Sequence, residues 1–348
     1  MKKFLLTGIL MLMTSMLMAQ SLRENEAVVV YYMPKTELVI QMQYTLTTQT
    51  PGVFYQYAKR YLGAEHVITE ASSQYSLQNI EVSSCCSADW SRAYQVNSIK
   101  GFQTQLLSLT ADGRLLGYNI DAPASQACKV EEQKNQVADT HTKASVLPLL
   151  EEQFVAGTTA KMAEGAAKQI YRIREMRLNL LAGEVEHVPA DGTAMQLVLD
   201  ELEKREAELV ALFVGTTSVS TGSHSIRYTP TGNKKQELVC RFSQHNGVVD
   251  SDDLSGSPVY IQLACSKPKM EEGEPVASKV PVLAPIYYNL PGHATVAVEY
   301  NGKKMYEGRF AVAQMGVAVP LSMDLFSGKP MPSIRINPET GNILSIKQ

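Results

Sequence analysis

The sequence predicts an α+β protein in which two β-rich segments flank a central pair of amphipathic helices. Many short runs alternate apolar and polar residues, which is the period of a half-buried strand. The stretch TTAKMAEGAAKQIYRIREMRLNLLAGE, residues 158–184, instead repeats its apolar residues every three or four positions, which is the period of a helix that faces a core. The fold class follows because the two periods occupy different parts of the chain.

Residues 1–19 have the layout of a secretory signal peptide. Lys2 and Lys3 supply a basic start, residues 4–18 are apolar but too few to span a bilayer comfortably, and Ala19 offers a small residue for cleavage. No cysteine lies near that point, which disfavours a lipid anchor. We therefore expect an exported chain without a transmembrane segment, periplasmic or secreted, and soluble after cleavage near Ala19.

Composition limits the partners and the number of domains. The formal net charge of −3 becomes −5 (−3 − 2) when Lys2 and Lys3 leave with the signal peptide, and no long basic run occurs. Binding to phosphate backbones requires clustered lysine and arginine, so we expect no nucleic-acid partner. About 329 mature residues (348 − 19), at roughly 150 residues per domain, favour two domains.

The five cysteines of an exported chain leave at least one thiol outside any internal disulfide. Cys85 and Cys86 are adjacent and rarely bond to each other, because the ring would strain the peptide between them. Cys240 and Cys265 share the inward faces of two predicted strands and could form one disulfide or remain two buried thiols, of which the second is favoured. No C-x-x-C pair occurs, which disfavours a redox site or a structural zinc site.

The N-terminal segment, residues 24–121, is predicted to be an α+β unit. In LVIQMQYTL the apolar residues alternate on one face, as in a strand. PGVFYQYAKRYLG has helical spacing, with Pro51 near the start and Gly63 at the end. QLLSLTADGRLLGYNI indicates a hairpin around its Asp-Gly turn. Residues 122–142 are polar and form a predicted loop or linker.

Residues 143–214 are predicted to form an antiparallel helical hairpin, whose helices could be capped by Thr158 or Thr159 and by Asp191. Residues 158–181 hold five basic and two acidic side chains, a net +3, whereas residues 193–214 hold two and five, a net −3. The helices should therefore attract each other, and we expect them to brace the two β-rich segments by burying one stripe each. The stripes are Met162, Ala163, Ala166, Ile170, Ile173, Met176 and Leu180, and Met195, Val198, Leu202, Leu209, Leu212 and Phe213.

The C-terminal segment, residues 215–348, is predicted to be an antiparallel, β-sandwich-like unit. Runs such as QELVCRFS, VYIQLACS and ATVAVEY alternate in polarity and are separated by Gly, Pro, Asn and Asp turns. The final run, SIRINPETGNILSI, indicates a hairpin around its Pro-Glu-Thr-Gly sequence.

The chain also contains the runs YYMPKTELVIQMQ, PGVFYQYAKRYLG, TTAKMAEGAAKQIYRIREMRLNLLAGE, CRFS, DDLSGSPVY and INPETGNILSI. Together they resemble a family of exported Bacteroidetes proteins, domain of unknown function 4831. The resemblance covers nearly the whole mature chain. It implies an envelope or secreted location, and it implies no activity and no site residues.

The loop DDLSGSPV, residues 252–259, invites comparison with the GDSGGPV loop of trypsin-like serine proteases. Here Leu254 replaces the Asp that precedes the serine, and Ser257 replaces the second glycine, whose backbone helps to line an oxyanion hole. No histidine has the expected Ala-Ala-His setting. A polar turn that leads into a strand is the favoured interpretation.

The same loop could offer oxygen ligands to calcium through Asp250, Asp252 and Asp253. Ile261 stands where an EF-hand requires a bidentate glutamate, so a solvated acidic turn is favoured. His224 and His245 could meet in space, but no histidine pair has H-x-H or H-x-x-x-H spacing, which disfavours a zinc site.

Sixteen tyrosines form local clusters. When two adjacent tyrosines lie on a strand, their rings point to opposite faces of the sheet, as expected for Tyr31-Tyr32 and Tyr287-Tyr288. An exposed ring could stack on a sugar or anchor a protein partner. Half-buried core tyrosines with solvated hydroxyls are the favoured alternative.

These observations favour a non-enzymatic exported protein that binds or assembles with an envelope protein. They identify no catalytic, cofactor-binding or metal-binding residue and no cofactor. Two alternatives stay open: a hydrolase or glycan-processing enzyme whose carboxylates no motif marks, and a glycan or small-ligand binder. Two carboxylates of shifted pKa in one pocket would favour an enzyme. An exposed apolar patch would favour a module that binds a protein partner, and a tyrosine-lined groove would favour a glycan binder.

Overall fold

A computed structural model describes residues 28–97, 102–121, 157–184, 191–268 and 286–347. The expected signal peptide at residues 1–19 and the expected linker at residues 122–142 lie outside these ranges, as do residues 143–156 of the expected hairpin unit. The predicted α+β class is confirmed, because the described residues combine α-helices with antiparallel sheets. No helix within the described ranges is long and apolar enough to cross a membrane.

The strands are numbered in chain order. They are β1 (Val28–Thr50), β2 (Ser72–Asn97), β3 (Leu107–Leu109), β4 (Leu115–Tyr118), β5 (Thr216–Tyr228), β6 (Lys234–Ser243), β7 (Gly247–Val249), β8 (Ser257–Ser266), β9 (Tyr287–Tyr300), β10 (Lys303–Pro320), β11 (Ser333–Ile336) and β12 (Ile343–Lys347). The helices are α1 (Ala58–Leu62), α2 (Thr159–Ala182) and α3 (Gly192–Val214).

The described strands form three sheets, with the orders β2-β1-β5, β10-β9-β8-β6-β7 and β12-β11-β4-β3. Strands from both ends of the chain meet within them. In the first sheet Ile40 of β1 lies opposite Val82 of β2 and Ile226 of β5, and in the third sheet β4 pairs with β11. The N-terminal and C-terminal strands therefore share hydrogen-bonded sheets.

The main core lies between the three-stranded and five-stranded sheets. The alternation predicted for LVIQMQYTL is confirmed, because Leu38, Ile40 and Met42 are fully buried in this core. Each such side chain contributes roughly 1.5–3 kcal/mol on burial. The five-stranded sheet supplies the facing residues Phe242, Val259, Ile261, Leu263, Val296 and Val298.

A second core lies between the beginning of β1 and the four-stranded sheet, and its largest residues are aromatic. The Phe102 and Tyr118 rings stack at 4.7 Å, and Phe326 meets both edge-on. Tyr31 is fully buried there, and its hydroxyl donates to the Tyr287 carbonyl (3.0 Å) and accepts from the Tyr287 amide (2.7 Å). The solvated hydroxyl expected for core tyrosines is therefore wrong for Tyr31.

A third core joins the helical hairpin to the connection between β1 and β2. The short helix predicted there is confirmed as α1, which ends at Gly63 with a left-handed φ of 66°. Phe54 packs against Phe213 of α3 at 5.5 Å between ring centroids, and its amide donates to the Leu212 carbonyl (2.7 Å). A Cβ at Gly52 would collide with that same carbonyl, so a glycine permits this close approach.

The expected role of the hairpin as a brace between two β-rich segments is corrected by this packing. In the described core, the buried stripe of α2 meets residues 54–67, at one end of the β1–β2 ladder. The small side chains Ala163, Ala166 and Ala167 allow the connection to lie close to α2. The hairpin therefore caps the end of one strand pair.

The described cysteines comprise one disulfide-bonded residue and three free thiols. Cys85 is disulfide-bonded, whereas Cys86, Cys240 and Cys265 are free thiols. The favoured alternative of two buried thiols is confirmed for Cys240, and it is wrong for the burial of Cys265, which is half-buried. Cys240 lies opposite Val259, and Cys265 is six residues farther along β8 (265 − 259), a separation of about 20 Å at 3.3 Å per residue. A disulfide between them would require adjacent strand positions.

We expect Ile170→Asp to destabilise the protein by more than about 3 kcal/mol, because Ile170 is fully buried in the third core and a carboxylate there would lack a partner. Leu178→Asp, on the same helix but 67% exposed, is the matched control and should cost less than about 1 kcal/mol. Urea unfolding followed by circular dichroism measures both free energies. Equal stability of the two variants would contradict the buried stripe.

Candidate functional site

The two long helices begin and end at the residues that local chemistry favours. The Thr158 side chain accepts from the Lys161 amide (3.4 Å) at the start of α2, and Gly183 ends the helix with a left-handed φ of 74°. Asp191 occupies the predicted cap position of α3. It makes no side-chain capping bond there, and its backbone carbonyl accepts from the Met195 amide (3.0 Å).

Only one half of the helical hairpin is buried. On α2 no residue beyond Ile173 is buried, and on α3 none before Leu209 is buried. The first 17 residues of α3 (192–208) extend about 25 Å at 1.5 Å per residue. The predicted stripes therefore continue past the core: Met176 and Val198 lie on them and are exposed, which corrects their expected burial.

We call the exposed apolar end of this hairpin the hairpin tip. Its side chains are between 36% and 72% exposed. The contact of Arg177 with Glu203 shows that the end of α2 lies beside the start of α3, so these exposed side chains are gathered at the same end of the hairpin. Exposed apolar surface of this kind is typical of interaction sites. The hairpin tip consists of Met176, Leu178 and Leu181 on α2 and of Leu197 and Val198 on α3.

Three members of the hairpin tip were absent from the predicted stripes. Leu178, Leu181 and Leu197 lie outside the apolar face of each helix, where a polar residue is expected in a helix with a single buried face. Leucines at positions where a polar residue is expected were the feature of the sequence from which this surface could have been predicted.

An ion-pair cluster lies where the buried half meets the exposed half. Arg174 Nε contacts Glu206 Oε1 at 2.7 Å, and Arg177 Nη1 contacts Glu206 Oε2 at 2.9 Å. Burial alone would raise the pKa of Glu206, but the hydrogen bonds and charges of the two arginines outweigh it and hold the pKa below its ordinary value. The predicted attraction between the helices is therefore confirmed, and the cluster fixes their register.

Other carboxyl groups with shifted pKa values have structural partners. Burial tends to raise the pKa of Asp112, but hydrogen bonds from Thr110 and Arg114 lower it overall. A hydrogen bond from the Tyr228 hydroxyl lowers the pKa of Glu237. A general acid at neutral pH requires a raised pKa, so these carboxyl groups do not have the property expected of one.

The loop DDLSGSPV is a polar turn that leads into β8. The Asp253 carboxylate accepts from the Ser255 amide (2.9 Å), and Arg241 donates to the carbonyls of Ser251 (2.9 Å) and Gly256 (3.1 Å). β8 then begins at Ser257. Across the described ranges no group of three His, Cys, Asp or Glu side chains could hold a metal ion. His224 lies on β5, and His245 lies in the turn between β6 and β7.

The adjacent tyrosines at the start of β1 point to opposite faces, as expected. Tyr31 faces the second core, and Tyr32 packs against Trp90 at 4.5 Å on the other face. Trp90 is 68% exposed, and these two rings form a small aromatic surface. It is less extensive than the hairpin tip.

We expect Glu206→Gln to destabilise the protein by about 1 kcal/mol at pH 7, because it removes the charge that pairs with Arg174 and Arg177. Because the folded state lowers the pKa of Glu206, its ionised carboxylate stabilises the fold at pH values above the ordinary glutamate pKa of about 4.3. This stabilisation is lost as the pH falls through the lower folded-state pKa, so the difference between protein and variant should shrink below about pH 4.

Urea unfolding at pH 7 and at pH 3 measures this difference. Glu201→Gln is the control, since Glu201 is 57% exposed and pairs only with Arg205 among the described ion pairs. It should change stability by less than about 0.5 kcal/mol. A Glu206→Gln effect that is equally large at both pH values would contradict the ion-pair explanation.

Comparison with known proteins identifies the chain at the level of a family. No curated protein sequence and no solved structure matches it. A family model described as domain of unknown function (DUF4831) matches residues 27–344, which is nearly the whole chain. The chain therefore belongs to the DUF4831 family.

Proposed function

We propose that this protein is an exported, non-enzymatic assembly module of the cell envelope and that its helical hairpin docks onto a protein partner. The observation that carries the proposal is the hairpin tip, where five large apolar side chains are exposed after the last buried residue of α2 and before the first buried residue of α3. Export rests on the basic start and short apolar run at the N-terminus.

The energetics favour a protein partner that covers the hairpin tip. Burial of one leucine side chain contributes roughly 1.5–3 kcal/mol, and the tip holds three leucines on two helices. Part of that free energy is lost to ordering and to restricted motion, and the remainder is enough to anchor an interface. A pair of helices with exposed apolar residues suits a groove on another protein.

The charges around the tip favour a protein surface over a membrane surface. Residues 174–184 and 191–204 carry three basic and six acidic side chains, a net charge of −3. Amphipathic helices that lie on membranes typically carry a basic face that attracts anionic lipids. The net negative charge of the tip disfavours that mode of binding and leaves a protein surface as the favoured partner.

The proposal is tested by placing a photo-crosslinking amino acid at position 178 in the full chain, expressed in its own cells. We expect one discrete adduct in intact cells. The same amino acid at position 254 is the control, since Leu254 is 81% exposed but lies in the turn before β8. An absence of adducts, or identical adducts from both positions, would contradict docking at the tip.

The captured protein would then be purified and titrated with the mature chain. We expect Leu181→Arg to weaken that binding at least about tenfold, because it places a charge in an apolar contact. The thermal midpoint should stay unchanged, since Leu181 is 66% exposed in the free protein. An unchanged Kd would show that the contact lies elsewhere.

A further inference from the structure

We infer that the outer face of the three-stranded sheet binds a neutral saccharide. A groove of 480 Å³ lies there, on the side of β1 that faces away from the main core. Its volume falls within the range of about 300–1,000 Å³ that small-ligand sites occupy. Its polar lining consists of Gln41, Gln43, Thr45, Gln78, Thr221 and Ser223.

The polar lining follows from the register of the sheet. Leu38, Ile40 and Met42 face the core, so Gln41, Gln43 and the following alternate residue of β1 face outward. On β5 the residues opposite Gln43 and Thr45 are Ser223 and Thr221, which share that outward face. Amides and hydroxyls are thereby gathered on neighbouring strands.

A bulge in β2 completes one end of the groove. The register shifts between Gln43 and Tyr44, which leaves Gln78 as an additional residue between two pairs. The Gln78 amide of β2 donates to the Thr45 hydroxyl of β1 (3.0 Å). The bulge therefore directs a third amide toward the groove.

Two amides of the groove have hydrogen-bonding capacity to offer a ligand. Gln41 and Gln43 are half-buried, and no hydrogen bond within the described part of the chain uses either side-chain amide. Each amide carries two donors and a carbonyl acceptor. A sugar ring with adjacent hydroxyls, each both donor and acceptor, can pair with such groups.

The charge of the lining selects among polar ligands. All described residues that line the groove are uncharged, and Glu81 of β2 lies opposite Gln41 at its edge. A carboxylate at that position would repel an acidic sugar or a phosphate. A neutral, hydroxyl-rich ligand therefore fits better than an anionic one.

A peptide fits this face less well than a saccharide does. β1 is hydrogen-bonded to β2 on one edge and to β5 on the other along the groove, so its backbone cannot accept an added strand. Side chains supply the polar groups of the described lining. Specific peptide binding would require apolar pockets for alternate side chains.

The test uses calorimetric titration of the mature chain with three neutral hexasaccharides (maltohexaose, cellohexaose and xylohexaose) and with one acidic oligosaccharide, trigalacturonic acid. We expect at least one neutral sugar to bind with a Kd no weaker than about 1 mM. Gln41→Leu combined with Gln43→Leu should weaken that binding at least about tenfold, because two amides are removed without a large change in volume.

Gln262→Leu is the matched control. Gln262 is a half-buried amide on the outer face of the five-stranded sheet, and its replacement should leave the Kd unchanged. If the double variant does not fold, Thr221→Val removes one hydroxyl from the groove at constant shape and should weaken binding about threefold or more. Leu181→Arg, in the hairpin tip, should leave saccharide binding unchanged.

Several results would overturn the inference. They are an absence of binding to all three neutral sugars, tighter binding of trigalacturonic acid, and neutral-sugar binding that Gln41→Leu with Gln43→Leu leaves intact. Loss of binding in Gln262→Leu alone would place a saccharide site on the five-stranded sheet and would equally reject the groove.

Discussion

The long antiparallel ladder between β1 and β2 is the constraint on which the rest of the structure depends. It runs from Val28 opposite Asn97 to Gln49 opposite Ser72, and the 23 residues of β1 span about 75 Å at 3.3 Å each. Each of the three cores includes residues of this ladder or of the connection at its end. Elements that are distant in sequence are thus held at fixed positions along one pair of strands.

Two irregularities divide this ladder, and both direct side chains to new surroundings. The register shift at Tyr32 and Met33 leaves additional residues in β2, so that Trp90 packs over Tyr32 and Arg92 donates to the Ala313 carbonyl (3.3 Å). The shift at Gln43 and Tyr44 directs Gln78 toward the sheet groove. Bulges increase local twist and change the direction of side chains. This explains why the aromatic surface of Tyr32 and Trp90 lies beside one bulge and the groove of the three-stranded sheet beside the other.

Local features of the fold could be predicted from the sequence, and long-range pairings could not. The ends of α2 at Thr158 and Gly183 follow from capping chemistry and helical period, which both act within a few residues. The pairing of Ile40 with Ile226 joins residues 186 positions apart (226 − 40). A period of two indicates which face of a strand is apolar, but it carries no information about the neighbouring strand.

The hairpin tip shows the same limit in a helix, since an apolar stripe does not specify what covers it. On the side of the Arg174, Arg177 and Glu206 cluster that holds the third core, buried apolar contacts attach the helices to the β1–β2 connection. On the other side of the cluster no described residue of either helix is buried, so no described core holds the helices together there. Short charged contacts in a partly shielded position supply the attraction instead. The outer half can therefore remain paired while Leu178 and Leu181 stay uncovered, which is the condition that a preformed docking surface requires.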